Sequence, residues 1–317
     1  MSKNAIVLAA GKGTRMKSEM SKLLHPIIDR PMLAYTLEAI DAVGADRVVI
    51  IDGYQASQVE EAFQGREFAL QEPQLGTGHA VMQAQSLKDE KGYTLVINGD
   101  GPCIQPETLN RLYEAAQGTA LTLMSCVFEE GARYGRILRD ENGEFLAIRE
   151  AKDCTEEEKK INEINAGVYC FNNEDLFDSL QDLTSANAQN EYYLTDLVEI
   201  LKSRGKKVQA IPIEDPDELQ GINDPIELHQ AYTWIRDRIN TGWMKNGVQI
   251  VDPQRTVIGK DVKIGHDVII YPNTEILGST VISDYAEILP GSYLKDAFIQ
   301  EGEVVGPNEI RMSGKNR

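Results

Sequence analysis

From Ile258 onward an aliphatic residue returns at every sixth position: Ile258, Ile264, Ile270, Ile276, Ile282, Ile288 and Leu294. An α-helix repeats its buried face about every 3.6 residues and an alternating strand about every 2, so neither produces this period. A parallel β-helix does. Each hexapeptide forms one side of a triangular turn and points its aliphatic residue inward, where the turns above and below cover it. With three hexapeptides per turn, the run covers two to three turns. Beyond Leu294 the register slips, and the polar tail Met312–Arg317 is expected to fray. This segment is expected to be a separate small domain, residues 247–317.

Upstream, short apolar runs alternate with helical patterns. The expected strands are Ala5–Ala10, Arg47–Ile51, Glu67–Gln71, Tyr93–Asn98, Ala120–Val127, Ala166–Phe171 and Val208–Ile213. Amphipathic stretches lie between the early ones, at Met32–Val43, His79–Leu87 and Pro106–Gln117. Strands alternating with helices imply βαβ units, hence an α/β domain over residues 1–224 with a doubly wound, mostly parallel, Rossmann-like sheet. Ligands of such sheets bind where strand ends lead into helices. That rule singles out Gly11, Gln71 and Asp100. Residues 225–246 are expected to form a connector helix, with Leu228, Ala231, Tyr232, Ile235 and Ile239 near helical spacing.

Charge narrows the possible partners. The net charge of −18 argues against a non-specific nucleic-acid binder and against an anionic-membrane binder. No run approaches the ~20 apolar residues of a membrane span. Ala5–Ala10 is too short for a secretion signal, so a cytoplasmic location is expected. Cys103, Cys126, Cys154 and Cys170 have neither CxxC spacing nor histidines at metal-ligand spacing, and are expected to be buried free thiols. Within residues 1–30, however, Lys3, Lys12, Arg15, Lys17, Lys22 and Arg30 face only Glu19 and Asp29. A cationic segment in an acidic chain suits a small polyanion.

The first strand runs into Leu8-Ala-Ala10-Gly11-Lys-Gly13-Thr-Arg15-Met16, with Lys22 six residues further on. Glycines let backbone N–H groups approach phosphate oxygens closely. The loop is not a Walker A motif, because no Gly-Lys-Ser/Thr closes it, and it lacks the third glycine of a dinucleotide fingerprint. By spacing alone, a generic tight turn explains it nearly as well.

The whole string resembles the signature of sugar-nucleotide pyrophosphorylases. More narrowly, the chain resembles the bacterial bifunctional N-acetylglucosamine-1-phosphate uridylyltransferase and glucosamine-1-phosphate acetyltransferase family. The segments that carry the resemblance include Gln71-Glu-Pro-Gln-Leu-Gly76-Thr77-Gly78-His79-Ala80, Gly99-Asp100-x-Pro102, Tyr134-Gly135-Arg136-Ile137 and Glu163-Ile164-Asn165-Ala-Gly167. Asn187-Ala-Gln-x-Glu191-Tyr-Tyr193-Leu-Thr195-Asp196 and Gln220-Gly-Ile-Asn223 follow in the family's order. The resemblance implies that the terminal β-helix is left-handed and supports a homotrimer. It also implies UTP and N-acetylglucosamine 1-phosphate as substrates and Mg²⁺ as cofactor.

Residue by residue, the resemblance implies that Leu8, Ala10, Gly11 and Gly13 cradle the nucleotide, with Gln71, Gly76 and Thr77 at the base. It gives Arg15 and Lys22 catalytic charge stabilisation, and Asp100 and Asn223 the metal. Gly135, Glu150, Asn165, Tyr193 and Thr195 fall at the sugar. Plainer readings stand beside these: Thr77 at a polar helix start, Asp100 in a turn, Asn223 as a helix cap, Tyr193 in the core. Ser21 departs from the family's proline, Asn98 from a tyrosine, Gly101 and Cys103 from bulkier apolar residues, and Ala166 from a threonine. Asn98 and Ala166 leave the sugar open. The family's acetyltransferase positions lie beyond Arg317, so only nucleotidyl transfer is expected of this sequence. The same reaction on another sugar 1-phosphate or nucleotide, and a silent nucleotide-sugar-binding assembly subunit, are the alternatives.

Overall fold

The computed structural model describes residues 2–128, 134–187 and 189–313. It divides into two compact units, Met1–His25 with Met32–Pro225, and Pro26–Pro31 with Ile226–Arg317. No helix among the described residues is long and apolar enough to cross a membrane.

The strands begin with β1 (Lys3–Leu8) and a small hairpin of β2 (Pro26–Ile27) and β3 (Arg30–Pro31), which belongs to the second unit. Then come β4 (Arg47–Asp52), β5 (Glu67–Leu70), β6 (Tyr93–Asn98), β7 (Leu121–Val127), β8 (Arg136–Arg139), β9 (Phe145–Arg149), β10 (Glu163–Asn172) and β11 (Val208–Pro212). The helices of the first unit are α1 (Met32–Ala42), α2 (Ala56–Ala62), α3 (Thr77–Met82), α4 (Pro106–Ala115), α5 (Asn173–Ser179) and α6 (Leu197–Ser203).

One sheet organises the first unit, in the order β11-β7-β10-β6-β1-β4-β5. β1, β4, β5 and β6 pair in parallel, as do β7 and β11, while β10 runs antiparallel between β6 and β7. The expected mostly parallel α/β sheet is therefore present, with β10 reversed along its main path and the antiparallel hairpin β8–β9 attached to β10. Successive strand residues face opposite sides. Ile6, Val49, Ile51, Val96 and Phe171 join Val81, Leu176, Leu197 and Leu201 in one core, while Ala5, Val7, Ile50 and Leu95 are buried on the other face. Alternating apolar residues buried on both faces explain why these strands read as continuous apolar runs.

Two local expectations need correction, and one hairpin was not expected at all. Helix His79–Leu87 is instead α3, which stops at Met82, with a separate 3₁₀ turn at Gln85–Leu87. The Gln85 amide donates to the Met82 carbonyl at 2.6 Å and so caps the broken end. Strand Ala166–Phe171 is the longer β10, whose register shifts between Asn165 and Tyr169 where Gly167 takes φ 71°. That irregularity hid its first half, because a bulge interrupts the alternation a strand is read by. The hairpin β8–β9 went unread although Asn142-Gly143 lies at its turn, with Gly143 at φ 83°.

Besides the β2–β3 hairpin, the described residues of the second unit hold α7 (Pro225–Lys245) and eleven more short strands. They are β12 (Gln249–Ile250), β13 (Thr256–Ile258), β14 (Lys263–Ile264), β15 (Ile269–Ile270), β16 (Thr274–Leu277), β17 (Val281–Ile282), β18 (Glu287–Ile288), β19 (Tyr293–Lys295), β20 (Phe298–Ile299), β21 (Val304–Val305) and β22 (Ile310–Met312). Every third strand pairs in parallel, giving three sheets, β12-β15-β18-β21, β13-β16-β19-β22 and β14-β17-β20. This is a left-handed β-helix. Ile258, Ile270, Ile276, Ile282, Ile288 and Leu294 fill its core.

The run is longer than the expected two to three turns. The step from Leu294 to Ile299 is one residue short, after which Ile299 and Val305 return to the core at the six-residue period. Met312, expected in a frayed tail, ends β22; residues 314–317 lie outside the described residues.

Candidate active site

At the carboxyl edge of the sheet, two cavities share Leu8, Thr77, Asn98 and Asp100 along their borders. One, of about 270 Å³, is lined by Ala10, Gly11, Lys22, Gln71, Gly76 and Ala80. The other, of about 220 Å³, is lined by Tyr134, Gly135, Glu150, Asn165, Thr195 and Glu218. Of the candidate nucleotide residues all but Gly13 line the first cavity, and of the candidate sugar residues all but Tyr193 line the second, while Leu8 and Thr77 border both.

The loop after β1 is shaped around Lys22. Gly13 takes φ 54°, and a Cβ there would lie 2.7 Å from the Lys22 Cβ, so only glycine fits without displacing that side chain. Buried Met16 and Leu23 anchor the two ends of the loop. Buried Ser21 donates its backbone N–H to Gln58 Oε1 at 2.9 Å, a bond that a proline could not make.

Lys22 then reaches between two oxygens. Its Nζ lies 2.6 Å from Asp100 Oδ2 and 3.4 Å from Asn223 Oδ1. Asn223 donates its amide to the Gly221 carbonyl at 3.0 Å, and the Ile222 N–H donates to the Asp100 carbonyl at 2.9 Å. These bonds fold the 221–223 segment against the end of β6. A Cβ on Gly221 would stand 3.5 Å from Asp100 Oδ1. The ammonium thus holds a cation's place between two hard oxygens. The described residues contain no group of three or more His, Cys, Asp or Glu that could hold a metal alone. One carboxylate and one amide oxygen fit Mg²⁺, which keeps several waters and completes its shell with phosphate oxygens.

Two strings far apart in sequence build the floor together. The Tyr192 N–H donates to the Leu75 carbonyl at 2.8 Å, and the Gly78 N–H donates to the Tyr192 carbonyl at 2.7 Å. The Leu194 N–H donates to Thr77 Oγ1 at 3.1 Å. Gly76 sits at φ 105° with space for no Cβ, which would meet the Tyr192 carbonyl at 2.7 Å. Thr77 begins α3, as its plainer reading held, and also lines both cavities.

In the second cavity Thr195 donates to Glu150 Oε1 at 2.8 Å. Burial holds the Glu150 carboxyl above the usual carboxylate range, and that hydroxyl opposes the rise in part. Asn165 donates from Nδ2 to the Tyr169 hydroxyl at 2.6 Å and accepts from the Gly167 N–H at 3.2 Å, while its own N–H bonds the Gly135 carbonyl at 2.8 Å. The cavity wall is therefore a chain of matched donors and acceptors.

Two expected residues stand apart. Arg15 is exposed and lines neither cavity. Tyr193 is buried, lines neither cavity, and accepts from Gln189 Nε2 at 2.7 Å. Gly13 and Asn223 act from behind the lining, through Lys22. Sequence reasoning did not single out Glu218, which lines the second cavity and accepts the Gln105 N–H at 3.1 Å from the start of α4. All four cysteines are buried and free.

Residues 5–198 match the family model of the MobA-like NTP transferase domain. The bifunctional protein GlmU of Latilactobacillus sakei is 44% identical over 305 residues, covering 95% of this chain and 66% of the relative. GlmU of Halalkalibacterium halodurans is 42% identical over 313 residues (98% and 69%), and GlmU of Listeria monocytogenes is 44% identical over 301 residues (94% and 66%). The chain thus spans about two thirds of the length of the curated relatives it matches. With 61% of its length, residues 5–198 of 317, inside the family model and relatives of this identity along nearly all of it, the chain belongs to the MobA-like NTP transferase family and, within it, to the GlmU family.

Proposed function

We propose that this chain transfers a uridylyl group from UTP to N-acetylglucosamine 1-phosphate, giving UDP-N-acetylglucosamine and pyrophosphate. The observation that carries the reading is the pair of adjoining cavities with Lys22, Asp100 and Asn223 at their junction. One cavity suits a nucleotide, the other a polar sugar, and the cation-binding oxygens lie where their phosphates would meet.

A phosphate oxygen of the sugar phosphate attacks the α-phosphorus of UTP. The new P–O bond forms as the bond to the β-phosphate oxygen breaks, and pyrophosphate leaves with that electron pair. A phosphate dianion is already nucleophilic at neutral pH, so no residue needs to remove a proton. The protein's work is positioning and charge neutralisation. Leu8, Ala10, Gly11 and Gly13 shape the loop that brings backbone N–H groups to the phosphates, and Gln71, Gly76 and Thr77 select the base. Lys22 and Arg15 neutralise charge on the leaving pyrophosphate; Arg15, exposed on the loop, is free to reach it. Gly135, Glu150, Asn165 and Thr195 bond the sugar, and Tyr193 supports that wall from the core. Mg²⁺ held by Asp100 and Asn223 supplies neutralisation of the triphosphate's charge when bound.

Asn98 and Ala166, both on the sugar-side cavity, favour a second reading, the same transfer to a different hexose 1-phosphate. Pyrophosphate release from a panel of nucleoside triphosphates and sugar 1-phosphates, with and without Mg²⁺, tests both. Turnover restricted to UTP, N-acetylglucosamine 1-phosphate and Mg²⁺ is expected. Preference for another sugar supports the second reading, and nucleotide binding without turnover overturns both.

The reading extends to a cytoplasmic homotrimer assembled through the β-helix. Exposed Phe298, Val304, Ile310 and Met312 on its last turn suit a buried contact between copies. A monomeric mass by light scattering at micromolar concentration would refute that assembly.

A further inference from the structure

We propose that His79 sets the base preference of the nucleotide cavity by holding the Gln71 amide in one of its two orientations. This rests on the reading of that cavity as the site of the nucleotide base.

An amide side chain can present either its oxygen or its nitrogen to a ligand, and a half-turn exchanges them. At Gln71 the choice is made from behind. Its nitrogen lies 2.9 Å from the Gly76 carbonyl oxygen, which can only accept, and 3.2 Å from His79 Nδ1. Two acceptors for two N–H groups leave the amide oxygen to face the cavity that Gln71 lines. That oxygen accepts no bond from the described residues, although Gln71 is only 3% exposed.

The arrangement requires a lone pair on His79 Nδ1. A competing contact bears on this, since Gln83 Nε2 lies 3.3 Å from His79 Nε2, and a neutral imidazole accepts at one nitrogen only. Burial decides between them. Gln83 is half-buried and already donates to the His79 carbonyl at 2.9 Å, whereas Gln71 is buried and its second N–H has no other acceptor. Leaving the more buried donor unpaired costs more, so the ring carries its proton on Nε2 and accepts at Nδ1.

An acceptor fixed at the base site reads an N–H. Uracil offers one at N3, whereas cytosine presents a bare nitrogen lone pair at the same atom. The locked oxygen therefore bonds uracil and repels cytosine, and a site with its hydrogen-bond sense fixed rejects the wrong partner far better than one that can turn. His79 touches neither substrate nor reacting atoms in this account. It is a positioning residue.

The test is the ratio of kcat/KM for UTP to that for CTP, measured by pyrophosphate release on the full chain for the wild type, H79F and H79N. In H79F the ratio is expected to fall about tenfold, because one of the two bonds that hold the amide is gone. The fall should come through a higher KM for UTP with kcat little changed. In H79N, whose Oδ1 replaces the Nδ1 lone pair, the ratio should return to within about threefold of the wild type. Should the bulk of phenylalanine disturb α3, visible as altered circular dichroism, H79L gives the same comparison. An unchanged ratio in folded H79F or H79L overturns the role of His79 while leaving uridylyl transfer intact. A wild type that uses UTP and CTP equally overturns base reading at Gln71. A wild type that turns over neither overturns the proposed reaction, and calorimetric binding of UTP and CTP to the same variants then decides the fate of His79.

Discussion

Asp52 ends β4, where its carbonyl accepts the N–H of Gln71 at 2.8 Å, and its substitution by asparagine should stabilise the protein in a pH-dependent way. The side chain is fully buried, and neither carboxylate oxygen has a hydrogen-bond donor. Burial first, and then the neighbouring Glu60 carboxyl, push its pKa from 3.8 up to about 6. A carboxyl whose folded pKa lies above its unfolded value is held protonated by the fold, so it loses stability as pH rises through that window. Below about pH 4 the group is protonated in both states and carries no penalty; above about pH 6 it is ionised in both, and the full penalty applies. At about 1.4 kcal/mol per pH unit, the interval from 3.8 to about 6 corresponds to about 3 kcal/mol. Asp52→Asn removes the charge and offers Glu60 a donor. Near pH 8 the variant should gain about 3 kcal/mol, or about 6–12 °C in Tm for a unit of this size, and near pH 4 almost nothing. Far-UV circular dichroism is the suitable probe, because both tryptophans, Trp234 and Trp243, lie in α7 and report on the second unit. Equal gains at pH 4 and pH 8, or no gain at either, would refute the reasoning.

Other outcomes follow from the site and the coil. Arg15→Ala should lower turnover at least about 100-fold without moving Tm, because the side chain is exposed and its charge acts only on bound phosphates; full activity in the purified variant would remove Arg15 from the mechanism. Asp100→Ala should lower turnover similarly and also shift the Mg²⁺ dependence, read as the metal concentration giving half-maximal pyrophosphate release. Gly76→Ala forces a side chain into φ 105° and a Cβ within 2.7 Å of the Tyr192 carbonyl, so UTP affinity should drop and Tm should fall, by more than about 2 kcal/mol in stability; calorimetry and thermal melts that match the wild type would contradict the packing described. Ile276→Ala, deep in the β-helix core, should cost about 2–5 kcal/mol in the second unit, seen by tryptophan fluorescence, with the chemistry of the first unit little changed.

Much of the fold was legible because periodicity is a local signal. Tyr93–Asn98 and the start of α1 at Met32 appear where the sequence put them, and the six-residue aliphatic run became the β-helix core. Errors fell where a local signal was interrupted. Gly167 broke the alternation of β10, and the five-residue step from Leu294 to Ile299, one short of the period, looked like the end of a repeat that in fact resumes. Of the candidate site, Gly11 and Asp100 were singled out by strand ends alone, whereas the loop's spacing fitted a generic tight turn nearly as well. Asn223, Glu150 and Thr195 needed the family resemblance, since each is a common polar residue with no local mark.

What the sequence determined by itself was the set of groups: a glycine loop with cationic side chains, one acid at a strand end, amides and hydroxyls in fixed order, and a repeat that admits only a coil. What the tertiary structure decided was their mutual orientation. Lys22 meets Asp100 and Asn223 across 78 and 201 residues, and Tyr192 closes on Leu75 and Gly78 by backbone bonds that no side-chain pattern announces. Asp52 reads as an ordinary acid until the sheet closes over it and leaves it without a donor. The physical reason is the same in each case. Propensity and periodicity act over a few residues and are written along the chain, whereas desolvation and hydrogen-bond pairing depend on neighbours that only folding supplies.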